Sequence, residues 1–147
     1  MEIKLKHFYF IKDEFYAFTV DPFLMENKEN GINRPCFLAT KDGNGVIWLI
    51  PVTSKIEKFQ NIYNAKKSIY GSCDSIVIAK LLGRDCAFLI QNMFPISEGY
   101  IKEEYIQKST GLSVSISETL ANEITIKFKK VLALVKTVRK VLFSPMF

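Results

Sequence analysis

Short apolar runs alternate with turn-forming residues along the first two-thirds of the chain. The runs are rich in β-branched and aromatic residues, which is typical of strands, and in chain order they read HFYFI, PCFLAT, VIWLIPV, SIVIAKLL and CAFLIQ. Asp-Gly and Asn-Gly steps in KDGNG supply the positive φ of a tight hairpin between the second and third runs, and GRD joins the last two. At least five strands, mostly sequential, predict a small, strongly bent antiparallel sheet or barrel.

The C-terminal third has the period of a helix instead. Its apolar residues recur at spacings of three and four, at Leu120, Ile124, Phe128, Val131, Val135, Val138 and Leu142. That spacing predicts a long amphipathic helix. The preceding SISE, from Ser115 to Glu118, fits a capping box in which Ser115 accepts from the backbone N–H of Glu118. Strands followed by this helix indicate the α+β class.

One segment does not decide between a strand and a helix. Alternation over Phe15 to Val20 favours a strand, whereas the length and polar tail of residues 13–30 favour a helix and then a loop. We leave both open. Because no repeat, low-complexity tract or Pro/Gly/Ser linker interrupts the 147 residues, we predict one domain over residues 1–147.

Composition indicates a globular protein outside the membrane. Hydrophobic residues make up 48% and charged residues 24%. No apolar run is long enough to span a bilayer, and MEIKLKHFYF lacks the apolar core of a signal peptide, so we expect a cytoplasmic protein with no membrane partner. The three cysteines form no CxxC pair, and we interpret them as reduced packing residues.

The charge indicates a partner made of phosphate. The formal net charge is +5, and residues 119–147 carry six cations against one acid, which equals the whole excess. A second basic group follows the third apolar run, at Lys55, Lys58, Lys66 and Lys67. For the helix lysines, a solvated surface is slightly favoured over a track for a nucleic-acid backbone.

Few kinds of catalytic chemistry fit this composition. The chain has one histidine, His7, which we interpret as structural, so a two-histidine ribonuclease site within one subunit is excluded. We find no HExxH, P-loop, GxGxxG or GxSxG motif, and we predict neither a metal nor a cofactor. The remaining candidates for catalytic chemistry are cationic side chains and hydroxyl groups.

A hairpin would bring such groups together. If PCFLAT pairs with VIWLIPV, Arg34 lies beside Thr53, Ser54 and Lys55. A guanidinium can hold two phosphate oxygens, hydroxyls can donate to a nonbridging oxygen, and lysine can offset charge at a pentacoordinate phosphorus. This set of groups suits a reaction in which a 2′-hydroxyl of the RNA attacks the neighbouring phosphate of the same strand. Taken alone, a polar cap that closes a barrel end explains these residues at least as well.

The stretch RPCFLATKDGNGVIWLIPVTS resembles the core of the MazF/Kid family of toxin ribonucleases. HFYFI, PVTSKIEK and FLIQNMFPIS, in that order, are more similar to the type III toxin branch of ToxN, AbiQ, CptN and TenpN, with CptN the most similar. The resemblance covers roughly residues 7 to 140 and rests on three motifs in order.

The resemblance implies a compact SH3-like sheet or barrel with flanking helices. It implies a metal-independent, sequence-selective endoribonuclease that leaves a 2′,3′-cyclic phosphate and a 5′-hydroxyl. It also implies an RNA antitoxin, a repeat folded as a pseudoknot, which the toxin processes and which inhibits it in a closed assembly of alternating toxin and RNA. Cellular or phage RNA would be the substrate, and phage defence by growth arrest (abortive infection) would be the role.

The resemblance also assigns roles to residues. Thr53 and Ser54 match the hydroxyl pair of the family's active site, Lys55 and Lys58 its basic residues, and Arg34 the catalytic arginine of MazF-like proteins. We add a set of expected RNA-binding residues: Lys58, Lys66, Lys67, Asn92, Lys129, Lys136 and Lys140.

Two other functions stay open at this point. One is a noncatalytic SH3-like module that binds RNA or protein, in which the polar strand ends are structural. The other keeps the nuclease chemistry but has a protein antitoxin, as in the MazF type. Tandem noncoding repeats upstream would indicate the RNA partner, and a small acidic reading frame would indicate the protein partner.

Overall fold

The apolar runs of the first two-thirds form strands. The computed structural model describes the backbone of residues 2–18, 28–29 and 32–143 and the side chains of residues 2–16 and 33–135. The strands are β1 Phe8–Ile11, β2 Lys28–Glu29, β3 Ile32–Asn33, β4 Cys36–Lys41, β5 Val46–Thr53, β6 Val77–Leu81, β7 Arg84–Phe88, β8 Phe94–Ser97 and β9 Ile101–Glu104. The helices are α1 Asp13–Phe18, α2 Ile56–Tyr70 and α3 Glu118–Phe143, with 3₁₀ turns at Ile90–Asn92 and Glu98–Tyr100.

Seven of the strands form one antiparallel sheet. The strand order is β6-β7-β5-β4-β1-β9. The seventh strand, β8, is outside this order and pairs with β5. Strands β2 and β3 form a separate two-stranded sheet. Among the described residues no pairing joins β6 to β9, so the sheet is open. The predicted α+β class with an antiparallel sheet and a C-terminal helix is confirmed, whereas closure into a barrel is not seen.

Strand β5 is the centre of the sheet. It pairs with β4 along most of its length, with β8 through Val46–Leu49, and with β7 through Val52 and Thr53. Pro51 lies where the partner changes from β8 to β7, and its carbonyl accepts from the Leu89 N–H at 2.9 Å. A proline has no N–H to donate to a ladder, so this break in pairing is the position where a central strand can hold one.

Both faces of the sheet are buried, which explains why the strands read as continuous apolar runs. One face packs against α3, with Phe8, Phe37, Phe88, Ile124 and Phe128 in its core. The opposite face holds Tyr9, Ile11, Leu38, Leu49 and Phe94, against which α1 packs through Phe15. A third cluster lies under α2 and contains Phe59, Cys73, Ile76, Ala87 and Leu89.

Two expectations about helices can be compared with the structure: the conformation of the segment after β1 and the cap of α3. Residues Asp13–Phe18 are helical, because Phe15 and Tyr16 pack on Phe94, while residues 19–27 and 30–31 lie outside the described residues. The predicted capping box is wrong: α3 begins at Glu118, and Ser117 Oγ, rather than Ser115, accepts from the Leu120 N–H at 3.2 Å.

The turns and the run CAFLIQ also differ in detail from the prediction. Gly45 has the positive φ, +80°, expected of the KDGNG hairpin. The turn between β6 and β7 is formed by Leu82 and Gly83, so Arg84 is the first residue of β7 rather than part of a turn. The strand ends at Phe88, because the chain then turns through the 3₁₀ segment toward β8.

Helix α2 was not predicted as an element, because most of its residues are polar. It contains one buried residue, Phe59, and ends at Gly71, whose left-handed φ of +80° lets its N–H donate to the Lys67 carbonyl. None of the helices in the described residues combines the length and apolarity that crossing a bilayer demands.

His7 has the structural position expected of it. Its Nδ1 lies 3.1 Å from Glu104 Oε2, which joins the start of β1 to the end of β9. Partial burial raises the pKa of Glu104, but hydrogen bonds from Ser113 and His7 and the charge of His7 outweigh it, so the pKa is lowered overall.

Ser117→Ala should lower the free energy of unfolding by about 1 kcal/mol, because it removes the side chain that caps α3. Ser115→Ala is the matched control and should change it by less than about 0.5 kcal/mol. Urea denaturation of the three proteins measures the difference. Equal losses in both variants would show that Ser117 does not cap the helix.

The lowered pKa of Glu104 makes stability depend on pH. A carboxyl whose pKa is lower in the folded state stabilises the fold at pH values above its pKa in the unfolded state, about 4.3. This stabilisation is lost as the pH falls through the pKa of the folded state. Glu104→Gln should therefore flatten the acid limb of a plot of unfolding free energy against pH, by less than about 1 kcal/mol. The exposed neighbour Glu103 provides the control, since Glu103→Gln should retain the wild-type limb.

Candidate active site

Arg34 is held at the start of β4 by the central hairpin. Pro35 O accepts from the Val52 N–H at 3.0 Å, and Arg34 Nη1 lies 3.5 Å from the Val52 carbonyl. The side chain is 5% exposed. A buried guanidinium is fixed in position and poorly hydrated, which strengthens its attraction for an anion that reaches it.

Thr53 and Ser54 are the turn from β5 into α2. Thr53 Oγ1 accepts from the Lys55 N–H at 3.1 Å, and the Ser54 carbonyl accepts from the Ile56 N–H at 2.8 Å. The two side chains differ in access, because Thr53 is 1% exposed and Ser54 is exposed. The Thr53 hydroxyl therefore shapes the turn, and Ser54 presents the accessible hydroxyl.

One cleft brings these groups together. It has a volume of about 560 Å³, and its polar lining includes Asn33, Arg34, Thr53, Ser54, Arg84 and Asp85. Three of the four residues predicted to be catalytic, Arg34, Thr53 and Ser54, thus share one cavity. Their role in a reaction stays a prediction.

Lys55, the fourth predicted catalytic residue, lies outside this cleft. It is exposed at the N-terminus of α2, in a shallow depression that it shares with Ser54, Glu57, Lys58 and Asn61. Ser54 lines both cavities. A phosphate backbone that runs from the cleft past Ser54 would meet Lys55 and Lys58 next.

Arg84 is the cleft residue that the sequence analysis missed. It is exposed at the first residue of β7 and faces the cleft lined by Arg34. Asp85 beside it lies 3.3 Å from the ammonium of Lys80, which partly offsets the charge of the carboxylate. The charged side chains that line the cleft are two arginines and this one aspartate. The only sequence signal was an arginine in GRD, which reads as an ordinary turn residue.

Two cysteines border the site, and both thiols stay protonated at neutral pH. Burial raises the pKa of Cys36 to about 12, although the charge of Arg34 acts in the opposite direction. Burial and the neighbouring Asp85 raise the pKa of Cys86, which lines the cleft, to about 12. Since the thiolate is the nucleophilic form of cysteine, hydroxyl and guanidinium groups are the better candidates for chemistry here.

Helix α2 positions the second basic group. Lys58 Nζ lies 5.3 Å from the centre of the Phe59 ring, and Lys67 Nζ lies 5.9 Å from that of Tyr63. Lys66 Nζ donates to Ser75 Oγ at 2.7 Å and so ties α2 to the loop that follows it. Lys58 and Lys67 are exposed and accessible to RNA, whereas Lys66 also has this structural contact.

The remaining predicted RNA-binding residues lie elsewhere. Lys129 is exposed on α3, and Asn92 ends the 3₁₀ turn at Ile90–Asn92, which packs near α3. Lys136 and Lys140 lie on the described backbone of α3, but their side chains fall outside the described residues. None of these residues lines the cleft.

Among the described residues, no group of three or more His, Cys, Asp or Glu side chains is arranged to hold a metal ion. No family model matches the chain, and no curated protein matches its sequence.

Thr53→Val should lower the free energy of unfolding by about 1 kcal/mol, because the Lys55 N–H loses its acceptor while the side-chain shape is kept. Ser54→Ala should change it by less than about 0.5 kcal/mol, because Ser54 is exposed. Chemical denaturation of both variants separates a structural hydroxyl from an accessible one. Unchanged stability of Thr53→Val would show that the Thr53 hydroxyl does not stabilise the turn.

Proposed function

We propose that this chain is the toxin of a type III toxin–antitoxin system, a metal-independent endoribonuclease with an RNA antitoxin. The observation that carries the proposal is the cleft itself: a buried guanidinium, Arg34, lies in the same cavity as the exposed hydroxyl of Ser54 and a second guanidinium, Arg84. The sequence resemblance supports the same class of reaction.

The cleft residues fit cleavage by an internal 2′-hydroxyl. The 2′-oxygen attacks the adjacent phosphorus and gives up its proton to water or a neighbouring base. The bond from phosphorus to the 5′-oxygen breaks, and the 5′-oxygen takes up a proton from water. The products are a 2′,3′-cyclic phosphate and a 5′-hydroxyl. This reaction needs an oriented phosphate and stabilised charge, which preorganised cationic donors provide.

Each residue has a role in this scheme. Arg34 binds nonbridging oxygens of the scissile phosphate, and Arg84 offsets the developing charge from the opposite wall. Ser54 donates to the phosphate or to the leaving 5′-oxygen. Thr53 acts as a positioning residue, because its hydroxyl holds the turn that presents Ser54.

An RNA partner agrees with the charge outside the cleft. The formal net charge of +5 favours a polyanion, and exposed Lys55, Lys58 and Lys129 are available for its backbone. We propose that this partner is a repeat pseudoknot RNA that the enzyme processes and that inhibits it in a closed assembly. Growth arrest during phage infection would be the cellular role, in the cytoplasm.

One observation favours the alternative of a noncatalytic SH3-like binding module. The Thr53 hydroxyl is buried and already accepts a backbone N–H, as expected of a structural strand end. A cleavage assay separates this alternative from the enzyme.

Purified protein in excess EDTA should cut a structured or an unstructured RNA to products with cyclic phosphate and 5′-hydroxyl ends. Ser54→Ala and Arg84→Gln should each lower the single-turnover rate by about 100-fold or more, because each removes a donor to the phosphate. Denaturing gels with end-group mapping measure both the rate and the products.

Ser68→Ala is the matched control, because Ser68 is exposed on α2 and does not line the cleft. It should cut at the wild-type rate. A folded Ser54→Ala protein with the wild-type rate would remove Ser54 from the mechanism. If the folded wild-type protein binds RNA but never cuts it, the binding module is correct instead.

A further inference from the structure

A second cavity adjoins the candidate cleft. This neighbour has a volume of about 780 Å³ and shares Asn33, Pro35 and Tyr105 with the cleft. The two cavities therefore lie on either side of the same residues. A flexible ligand held by its phosphate at Arg34 could place its next group in the second cavity.

An aromatic pair lies in the second cavity. Phe10 and Tyr105 both line it, with ring centres 5.0 Å apart and planes tilted by 55°. Both side chains are partly exposed and line the cavity, so part of each ring can contact a ligand there. Partly exposed aromatic rings beside a cleft lined by arginines are the kind of arrangement on which single-stranded bases stack.

Backbone hydrogen bonds on both sides hold the main chain of Tyr105 in place. The Tyr105 N–H donates to the Phe8 carbonyl at 2.8 Å, and the Tyr105 carbonyl accepts from the Val114 N–H at 3.0 Å. The ring is thus attached to the central sheet rather than to a free loop. A rigid platform of this kind loses little entropy when a base stacks on it.

The charge of the second cavity is opposite to that of the cleft. Its lining contains Glu103 and Glu104, with Lys108 as the basic residue. His7 and Ser113 hold the carboxylate of Glu104, whereas Glu103 is exposed. Glu103 pairs with Phe10 across β1 and β9, so its side chain lies on the same face of the sheet as the Phe10 ring.

We propose that this second cavity is a base-binding subsite for single-stranded RNA, next to the scissile phosphate and selective for bases that carry an amino group. The inference rests on the proposed RNA-cleaving function. Tyr105 and Phe10 stack on the base, and the Glu103 carboxylate, which can only accept hydrogen bonds, selects an amino donor at the base edge. Adenine, cytosine and guanine offer that amino donor. Uracil offers only its ring N3–H, which lies between two carbonyl oxygens that the carboxylate repels. A carboxylate also repels a phosphate, so the second cavity favours a base over a phosphate.

The test uses fluorescent 2′-fluoro hexanucleotides of A, C and U, which lack the attacking hydroxyl. Fluorescence anisotropy with wild-type protein should show A and C probes bound about fivefold or more tighter than the U probe. Glu103→Gln should bring that ratio below about twofold, because an amide can donate to uracil as well as accept. The ratio is the correct readout, since loss of one negative charge strengthens binding of all three probes equally.

Three further variants test the stacking role and control for the change of charge. Tyr105→Leu should weaken binding of all three probes about tenfold, and Tyr105→Phe should retain it within about twofold, as stacking requires. Glu118→Gln is the charge-matched control, because Glu118 is exposed at the start of α3 and lines neither cavity, and it should keep the wild-type ratio.

Cleavage of unmodified RNA by the same proteins separates two kinds of failure. If RNA is cut but the U probe binds as tightly as the A probe, or if Glu103→Gln keeps the wild-type ratio, the base subsite is wrong and the ribonuclease stands. If the folded protein neither binds nor cuts any RNA, the proposed function fails and the subsite fails with it.

Discussion

The pairing of β5 with three other strands is the constraint on which the remaining structure depends. Strand β4 fixes its register on one side, and β8 and β7 share the other side in succession. Pro51 permits this change of partner because the ladder does not need its missing N–H. The same register places Arg34 beside Val52, so the pairing that builds the core also builds one wall of the cleft.

Burial on both faces of the sheet leaves few places for functional groups. Between α3 on one face and α1 on the other, the central strands β4 and β5 bring polar side chains to solvent mainly at their ends, whereas the outer strands also expose them along their length, as at Lys80 and Glu103. The cleft forms at such ends, from the start of β4, the end of β5 and the start of β7. The site is therefore rigid on three sides, which suits a reaction that depends on positioning.

The sequence predicted the parts of the fold that local pattern controls. Strands buried on both faces must be apolar throughout, so β4 and β5 were evident, and α3 was evident from its spacing. Helix α2 was not, because only Phe59 is fully buried, while Ile56, Ile62 and Tyr63 are partly buried where the helix packs near β6 and β7. The cap lies two residues beyond the predicted Ser115, because the capping-box pattern occurs at Ser115 whereas tertiary packing decides where the helix begins.

The candidate site, too, could be predicted from the sequence only in part. A hairpin brings its two open ends together whatever surrounds it, so the meeting of Arg34 with Thr53 and Ser54 followed from the sequence. Arg84 begins β7 and Tyr105 directly follows β9, and only the order of strands in the sheet shows that they face this hairpin. Long-range contacts of this kind leave no periodic signal in a single sequence.

The residues that account for the net charge of the molecule are different from those that line the cleft. The cations that account for the formal charge lie on α3, and Lys127, Lys129 and Lys130 do not line the cleft. The cleft owes its charge to two arginines that a count of charged residues would not single out. A basic helix acts on a polyanion over a distance set by salt, whereas Arg34 acts only on a group that enters the cavity. Under the proposed function, recognition of a large RNA and orientation of one phosphate would therefore be set by different parts of the chain.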